Sequence, residues 1–203
     1  ELVTAVSPEL ADRTFSRLEA LVPSQTTRSD EQIEWQQFAT PPRIAWLAAR
    51  ACAISAGELV LEPSAGTGML SIWAAKTGGR LALNEISPLR RDCLGAMFPD
   101  AIVTGYDGEL IDELLSPNVA PSVVLMNPPY SHGIERGHDG RTGARHLRSA
   151  WKRLLPGGRL VAERYGRRVV QDVRAMGDDP PLEPVDAGTE LLSWSMAKTI
   201  TNL

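Results

Sequence analysis

Short apolar runs bounded by turn residues recur through the middle of the chain. Each reads as a strand buried on both faces of a parallel sheet. They are Glu58 to Glu62, Leu81 to Glu85, Ala101 to Thr104, Val123 to Met126 and Arg159 to Glu163. Stretches with helical spacing separate them, among them Met69 to Lys76 and a long basic stretch that stops at Pro156-Gly157-Gly158. Strand and helix alternate to about Gly177, which predicts an α/β domain whose strands are joined by right-handed crossovers. Ahead of this, Ser7-Pro8 opens an amphipathic helix reaching about Val22, with Leu10, Phe15, Leu18 and Val22 as its apolar stripe. Pro23 to Asp30 is a polar link. Thr40 is expected as N-cap, and Pro41 as first residue, of a helix running to Ala53. After the alternation, Asp178 to Gly188 is rich in acid and proline and reads as a loop, and Leu191 to Ile200 reads as one final strand.

The sharpest chemistry comes directly after the run Val123-Val124-Leu125-Met126, where the chain reads Asn127-Pro128-Pro129-Tyr130. Two prolines fix their own φ and push the residue before each out of helical space. The turn is therefore stiff and extended, and it stands at the carboxyl end of a strand, where open α/β sheets bind ligands. It offers an amide side chain, carbonyls without neighbouring N–H donors, and an aromatic face. Those parts suit a planar group bearing an NH2: two acceptors for its hydrogens and a ring to stack on.

A second site lies upstream. Glu62-Pro63-Ser64-Ala65-Gly66-Thr67-Gly68 joins the first strand of the alternation to a helix. Glycines let backbone approach a ligand, and a helix start offers free N–H groups. The string is neither a complete dinucleotide fingerprint nor a P-loop. By itself it serves packing as readily as binding. The acids at the ends of the next two strands raise its value. The first of those strands ends in Glu85, placed to accept from ribose hydroxyls. The second leads into Gly105-Tyr106-Asp107, whose acid can accept from an adenine amino group.

Glycine turn, ribose acid, adenine acid and Asn-Pro-Pro-Tyr, each after its own strand, resemble the class I S-adenosylmethionine (SAM) dependent amino-methyltransferases over roughly residues 36 to 165. The resemblance implies a Rossmann-like class I methyltransferase fold: a mostly parallel twisted sheet with helices on both faces, here with an N-terminal helical extension. It implies SAM as cofactor, lined by Phe38, Thr40, Pro41, Glu62, Pro63, Ala65, Gly66, Gly68 and Asn127, with Glu85 at the ribose and Asp107 at the adenine. Asn127, Pro128, Pro129 and Tyr130 would be catalytic. Gln-Phe-Ala-Thr-Pro-Pro, Leu-Glu-Pro-Ser-Ala-Gly-Thr-Gly, Asn-Glu, Met-Asn-Pro-Pro-Tyr-Ser and His146-Leu147-Arg148-Ser149-Ala150 further resemble the methylase region of bacterial strawberry notch-type methylase/helicase proteins. That implies one domain of a longer polypeptide carried on mobile DNA, with a helicase domain as partner. Such family members usually close the sheet with an antiparallel hairpin; with one evident strand left, the tail is expected to be shortened or incompletely represented.

Composition narrows this picture. The chain has 203 residues and a formal net charge of −4, so it is expected to be one domain and no general polyanion binder. Residues 1–35 are expected to form the helical extension and residues 36–203 the methyltransferase domain. No run approaches a membrane span and no signal pattern opens the chain, and Cys52 and Cys93 fit a reducing cytoplasm. The first residue, Glu1, is not Met, which fits a fragment. Positive charge concentrates after the Asn-Pro-Pro-Tyr turn, where Arg141, Arg145, Arg148 and Lys152 stack on one helical face. They form either a solvated face or a phosphate-contacting rim that includes Arg141, Arg145 and Arg148 as substrate-binding groups.

Other residues attract attention without supporting chemistry. His132, His138 and His146 lack the companions of a metal site and are read as loop or phosphate-contacting residues. Cys93 is expected to pack in its helix rather than act as a nucleophile. Trp46, Trp73 and Trp151 are expected in the core. The resulting expectation is methylation of a planar exocyclic amino group, foremost adenine N6 in DNA. Base flipping would bring that adenine under Tyr130. RNA amino groups, a protein glutamine amide, and a non-catalytic SAM-fold module in a helicase-containing complex are the alternatives.

Overall fold

A computed structural model describes residues 7–21, 40–129, 142–163, 182–184 and 197–201. Its elements run α1 (Pro8–Leu21), α2 (Pro42–Ala51), β1 (Leu59–Glu62), α3 (Met69–Lys76), β2 (Arg80–Asn84), α4 (Pro88–Met97), β3 (Ile102–Thr104), a 3-10 turn (Gly108–Leu110) leading into α5 (Ile111–Leu114), β4 (Val123–Met126), α6 (Thr142–Arg153), β5 (Arg159–Glu163), β6 (Leu182–Pro184) and β7 (Ala197–Thr201). The strands form one seven-stranded sheet in the order β3-β2-β1-β4-β5-β7-β6. The pairs β3–β2, β2–β1, β1–β4 and β4–β5 are parallel, whereas β7 runs antiparallel to both β5 and β6.

Alternation along each buried strand feeds two separate cores. Val123, Leu125, Val60 and Val161 face α2, α3 and α4, where they meet Ala45, Ala49, Leu70, Ala74 and Leu94. Val124, Met126, Leu61 and Leu160 face α5 and α6 on the other side, where they meet Ile111, Ala144, Leu147 and Ala150. All four β4 residues are fully buried, which is why that strand reads as an unbroken apolar run. Strand order reverses at β1, so β1 and β4 part at their carboxyl ends and open the crevice such sheets use for ligands.

The tail departs from the sequence expectation. The stretch expected as a loop contains β6, and the last strand is Ala197–Thr201 rather than Leu191 to Ile200. A hairpin-like pair therefore closes the sheet, with Leu182 opposite Ile200 and Pro184 opposite Lys198. β6 is three residues long, lies at the sheet edge and contains a proline, a residue tolerated there because an edge strand can leave one N–H unmade. Brevity and proline together hide it among turn signals.

Helix faces also differ from expectation. On α1 the buried residues are Ala11 and Phe15, while Leu10 and Leu18 of the expected stripe are exposed, and Val22 lies outside the described residues. Ser7 does open the helix: its Oγ accepts from Leu10 N at 3.3 Å. Phe15 packs against Trp46 and Trp73, with ring centroids 5.6 and 5.7 Å away, so α1 is held to α2 and α3 by aromatic contact. Cys93, expected to pack, is exposed, and the neighbouring Leu94 takes the buried position. The three tryptophans behave as expected: Trp46 is buried, and Trp73 and Trp151 pack against the cores.

A charged clamp ties the amino ends of the strands. Arg159 at the start of β5 donates Nη1 to Glu58 Oε1 at 2.9 Å and Nη2 to Glu58 Oε2 at 2.5 Å. The same guanidinium reaches the carbonyls of Cys52 and, at 2.8 Å, Ala53. Glu58 also accepts from Ser55 N at 2.7 Å. These donors, Arg159 foremost, hold the Glu58 carboxyl down at about 2 from an ordinary 4.5. An acid depressed on folding contributes stability that is complete above its unfolded value and disappears as pH falls toward the folded one. We expect the wild type to lose stability to Glu58 protonation as pH falls from 4.5 towards 2. Glu58→Gln should flatten that part of the profile in acid titration followed by circular dichroism, and an unchanged profile would contradict the clamp.

Candidate active site

Every described residue expected to line the cofactor sits at the carboxyl ends of β1 to β4 or at the entrance to α2. The glycine turn after β1 is the centre. Gly66 and Gly68 adopt φ of +56° and +79°, values that L side chains rarely take. Gly68 caps α3, and a Cβ there would lie 3.0 Å from both Leu94 and Phe98. A Cβ on Gly66 would meet only the Arg90 guanidinium, at 3.8 Å. Gly68 is thus required by its backbone angle and also packs closely against α4. Gly66 is required by its backbone angle and keeps a side of the turn clear. Ala65 is buried and its N–H donates to Asn84 O at 2.9 Å, which pins the turn to the end of β2.

Two carboxyl groups lie inside this turn. Glu62 is buried, accepts from Ser71 Oγ on α3 and stands near Glu85. Burial, opposed by the Ser71 hydrogen bond and reinforced by the Glu85 charge, pushes its carboxyl up to about 8. Glu85 is also buried; Oε2 accepts from Gly66 N at 2.7 Å and Oε1 from Ser87 N at 2.9 Å. Each of its oxygens keeps a further lone pair for a hydroxyl group. The expected ribose acid therefore also fastens the glycine turn to the start of α4.

Asn84, the residue before it, carries a role that motif reading missed. Its Nδ2 donates to Pro63 O at 3.0 Å and Tyr106 O at 2.9 Å. Its Oδ1 accepts from Thr104 Oγ1 and Tyr106 N, both at 2.8 Å. One buried amide thus joins the ends of β1, β2 and β3. The sequence signals were a polar residue closing an apolar run and its place in the Asn-Glu pair, neither of which shows this role. Asp107, expected at the adenine, caps the 3-10 turn by accepting from Glu109 N at 2.9 Å. Gly108 comes next, packed so tightly that a Cβ would fall 2.6 Å from the His146 ring.

Across the crevice, Asn127 Nδ2 donates to Thr40 Oγ1 at 3.0 Å. Thr40 is buried and is not the helix N-cap: Pro41 occupies that position and α2 begins at Pro42, so the hydroxyl is spent on Asn127 instead. Pro128 is buried and Pro129 half-buried beside it. Phe38, Tyr130 and Arg141 lie outside the described residues.

The basic helix α6 turns charge inward as well as outward. Arg145 makes two bonds to Glu109, at 2.7 and 2.9 Å, and Lys152 pairs with Asp112 at 3.2 Å. Ser149 donates to Asp112 at 2.6 Å, and Arg153 reaches the Ser116 carbonyl at 2.7 Å. Arg148 is half-buried. Arg145 and Lys152 thus bind α6 to the acids of the 3-10 turn and α5, a role that neither the solvated-face nor the phosphate-rim reading named. His146 lies on α6 rather than in a loop, buried, with Nδ1 3.0 Å from Thr142 O.

No family model matches the chain, and no curated protein matches it either. Solved structures do. TrmN from Thermus thermophilus matches with a TM-score of 0.62 at 17% identity, over 88% of this chain and 55% of its own. The chain thus spans little more than half the length of that protein. A methyltransferase from Pyrococcus furiosus matches with a TM-score of 0.58 at 13% identity, over 96% of this chain and 97% of its own. The T. thermophilus 16S rRNA methyltransferase RsmC, in complex with AdoMet and guanosine, matches with a TM-score of 0.61 at 16% identity, over 82% of this chain and 44% of its own. At these identities the likeness is one of fold, and the fold is the Rossmann-like class I methyltransferase fold.

Proposed function

We propose that the chain is a SAM-dependent N-methyltransferase acting on the exocyclic amino group of a nucleobase, foremost adenine N6 in DNA. The observation that carries the proposal is the Thr40–Asn127 contact. With Nδ2 engaged by Thr40 at 3.0 Å, the opposite side of the amide is its oxygen, an acceptor suited to an N–H donor. The stiff turn adds the Pro128 carbonyl as a second acceptor. A planar NH2 held by two acceptors keeps its lone pair free to point at an electrophile.

The residues at the glycine turn fit SAM. Gly66 clears space beside a positive-φ turn, and the buried carboxyls of Glu85 and, once its proton is lost, Glu62 favour a cationic ligand over a neutral one. Glu85 has lone pairs for the ribose hydroxyls, and Asp107 stands beyond β3 for the adenine end. Bound there, the cofactor supplies an electrophilic methyl on a positively charged sulfur. A substrate nitrogen held by Asn127 and the Pro128 carbonyl would take that methyl as the methyl–sulfur bond broke, and would give up its extra proton to water. Asn127 and the Pro128 carbonyl stabilise the charge developing on that nitrogen, so acceleration comes from positioning and fixed dipoles rather than from a strong base.

Substrate class rests on several features. The strawberry notch-type resemblance and the Asn-Pro-Pro-Tyr turn favour DNA adenine, with residues 36–203 as the catalytic unit of a longer polypeptide that supplies helicase activity and sequence recognition. Likeness to an rRNA methyltransferase bound to guanosine favours an RNA amino group as the second reading. Tyr130 would stack on the flipped base, and Arg141 and Arg148 would meet flanking phosphates. Incubation of the protein with labelled SAM and unmethylated DNA, with RNA and cell-extract protein in parallel, tests this: label on DNA adenine supports the first reading, and label confined to RNA or protein overturns it.

Glu62 gives the cofactor site a pH signature. Its proton must leave before the carboxylate can face a cation, and in the free protein that happens near 8. SAM affinity should rise as pH approaches that value, by up to about tenfold per pH unit. The free protein should lose stability over the same range, because a folded state that holds the proton from 4.5 to about 8 is favoured at the lower pH. Calorimetric titration with SAM between about pH 6 and pH 9 checks the first effect. Glu62→Gln should bind weakly with no slope, and a flat wild-type profile would contradict the role.

A further inference from the structure

The resemblance assigns Thr40 to the cofactor, but its hydroxyl bonds Asn127 instead. Thr40 stands just before the Pro41 cap of α2, 7% exposed, and Oγ1 receives Asn127 Nδ2 at 3.0 Å from 87 positions along the chain. The N-cap position that would otherwise occupy such a hydroxyl is filled by Pro41, which makes no side-chain bond to the helix. Pro41 O is already used by Ala45 N at 3.0 Å, so the start of α2 is anchored without Thr40. The loop carrying Asn127 is anchored from below by β4, whose Met126 pairs with Ala162. Backbone position of Asn127 is therefore fixed by the sheet. Rotation of its amide is not: an isolated amide can present either its oxygen or its NH2 to the crevice.

We infer that Thr40 is a positioning residue that holds the Asn127 amide with its oxygen toward the crevice, so that the site selects an amino group as methyl acceptor. This inference rests on the proposed methyl transfer. In this structure the hydroxyl accepts from Nδ2, which turns the oxygen outward; a methyl in its place makes no hydrogen bond, and the amide is no longer held. An outward NH2 would oppose a substrate NH2 donor to donor. Thr40 thus acts through Asn127 and touches neither substrate nor cofactor in the reaction. The contact also predicts an asymmetry between conservative changes. Serine retains the hydroxyl, whereas valine retains the shape without it.

The test compares wild type, Thr40→Val and Thr40→Ser in the same protein. Three readouts are taken: methyl transfer at saturating SAM, SAM affinity by calorimetry, and exchange of the Asn127 side-chain NH2 protons by nitrogen-15 NMR. Thr40→Val should lower kcat about 10- to 100-fold, leave SAM affinity within about twofold, and lose the slow exchange of the Asn127 amide protons. Thr40→Ser should restore most of kcat and the exchange protection. Unchanged exchange in Thr40→Val would overturn the contact, whatever the activity. Lost protection with unchanged kcat would overturn the positioning role. Weakened SAM binding with kcat intact would return Thr40 to the cofactor. If wild type transfers methyl to no acceptor, the methyltransferase reading fails, and the exchange measurement decides the Thr40–Asn127 contact separately.

Discussion

Asn127→Ala should reduce methyl transfer by about a hundredfold or more while SAM affinity stays within a few-fold. The split comes from position. Asn127 sits after β4, across the crevice from the glycine turn, and its described contact is to Thr40 rather than to Gly66, Glu62 or Glu85. In the proposed reaction, truncation removes an acceptor for the substrate nitrogen as charge develops there, an interaction worth most in the transition state. It leaves Thr40 with an unmatched hydroxyl, a modest loss that does not reach the cofactor pocket. Single-turnover transfer and equilibrium SAM binding measured on one preparation separate the two. Equal loss of both would place Asn127 in cofactor binding and remove it from catalysis.

The second large effect is on stability. Asn84→Ala deletes four hydrogen bonds at once: two donated by Nδ2 to Pro63 O and Tyr106 O, and two accepted by Oδ1 from Thr104 and Tyr106. Asn84 is 1% exposed, so water cannot easily replace the amide, and its partners lose an anchor in a dry site. We expect a loss of about 3–5 kcal/mol, or a midpoint fall of roughly 10 °C. SAM binding should weaken with it, because Nδ2 also holds Pro63 O at 3.0 Å, where the chain enters the glycine turn. Denaturant titration measures the stability change directly. A loss under about 1 kcal/mol would mean that the strand ends hold without the amide.

Legibility in the sequence tracked the physics of each element. Strands β1, β2, β4 and β5 were readable because residues buried on two faces leave continuous apolar runs. β6 was not, since a three-residue edge strand ending in proline carries the chemistry of a turn. Helix α1 was found, but its buried face was misjudged: Leu10 and Leu18 remain exposed because aromatic contact through Phe15, rather than apolar periodicity, decides how it packs. The glycine turn and the acids Glu62, Glu85 and Asp107 were placed together by motif. What motif could not supply was how those groups are occupied. Glu85 holds two backbone N–H groups, Arg145 answers Glu109, and Thr40 leaves its helix for Asn127. Such partners are distant in sequence and belong to the folded arrangement alone. No helix among the described residues is long and apolar enough to cross a membrane.

If the crevice between β1 and β4 transfers a methyl group from SAM to a nucleobase amino group, the product itself must carry the mark. The most direct test digests DNA and RNA to nucleosides after incubation with the protein and isotopically labelled SAM, then identifies the labelled nucleoside by mass spectrometry. The expected result is labelled N6-methyladenine from DNA, absent with Asn127→Ala. Label on a ring carbon or on a hydroxyl, or no label on any nucleoside while SAM is bound, would contradict amino-group transfer in this crevice.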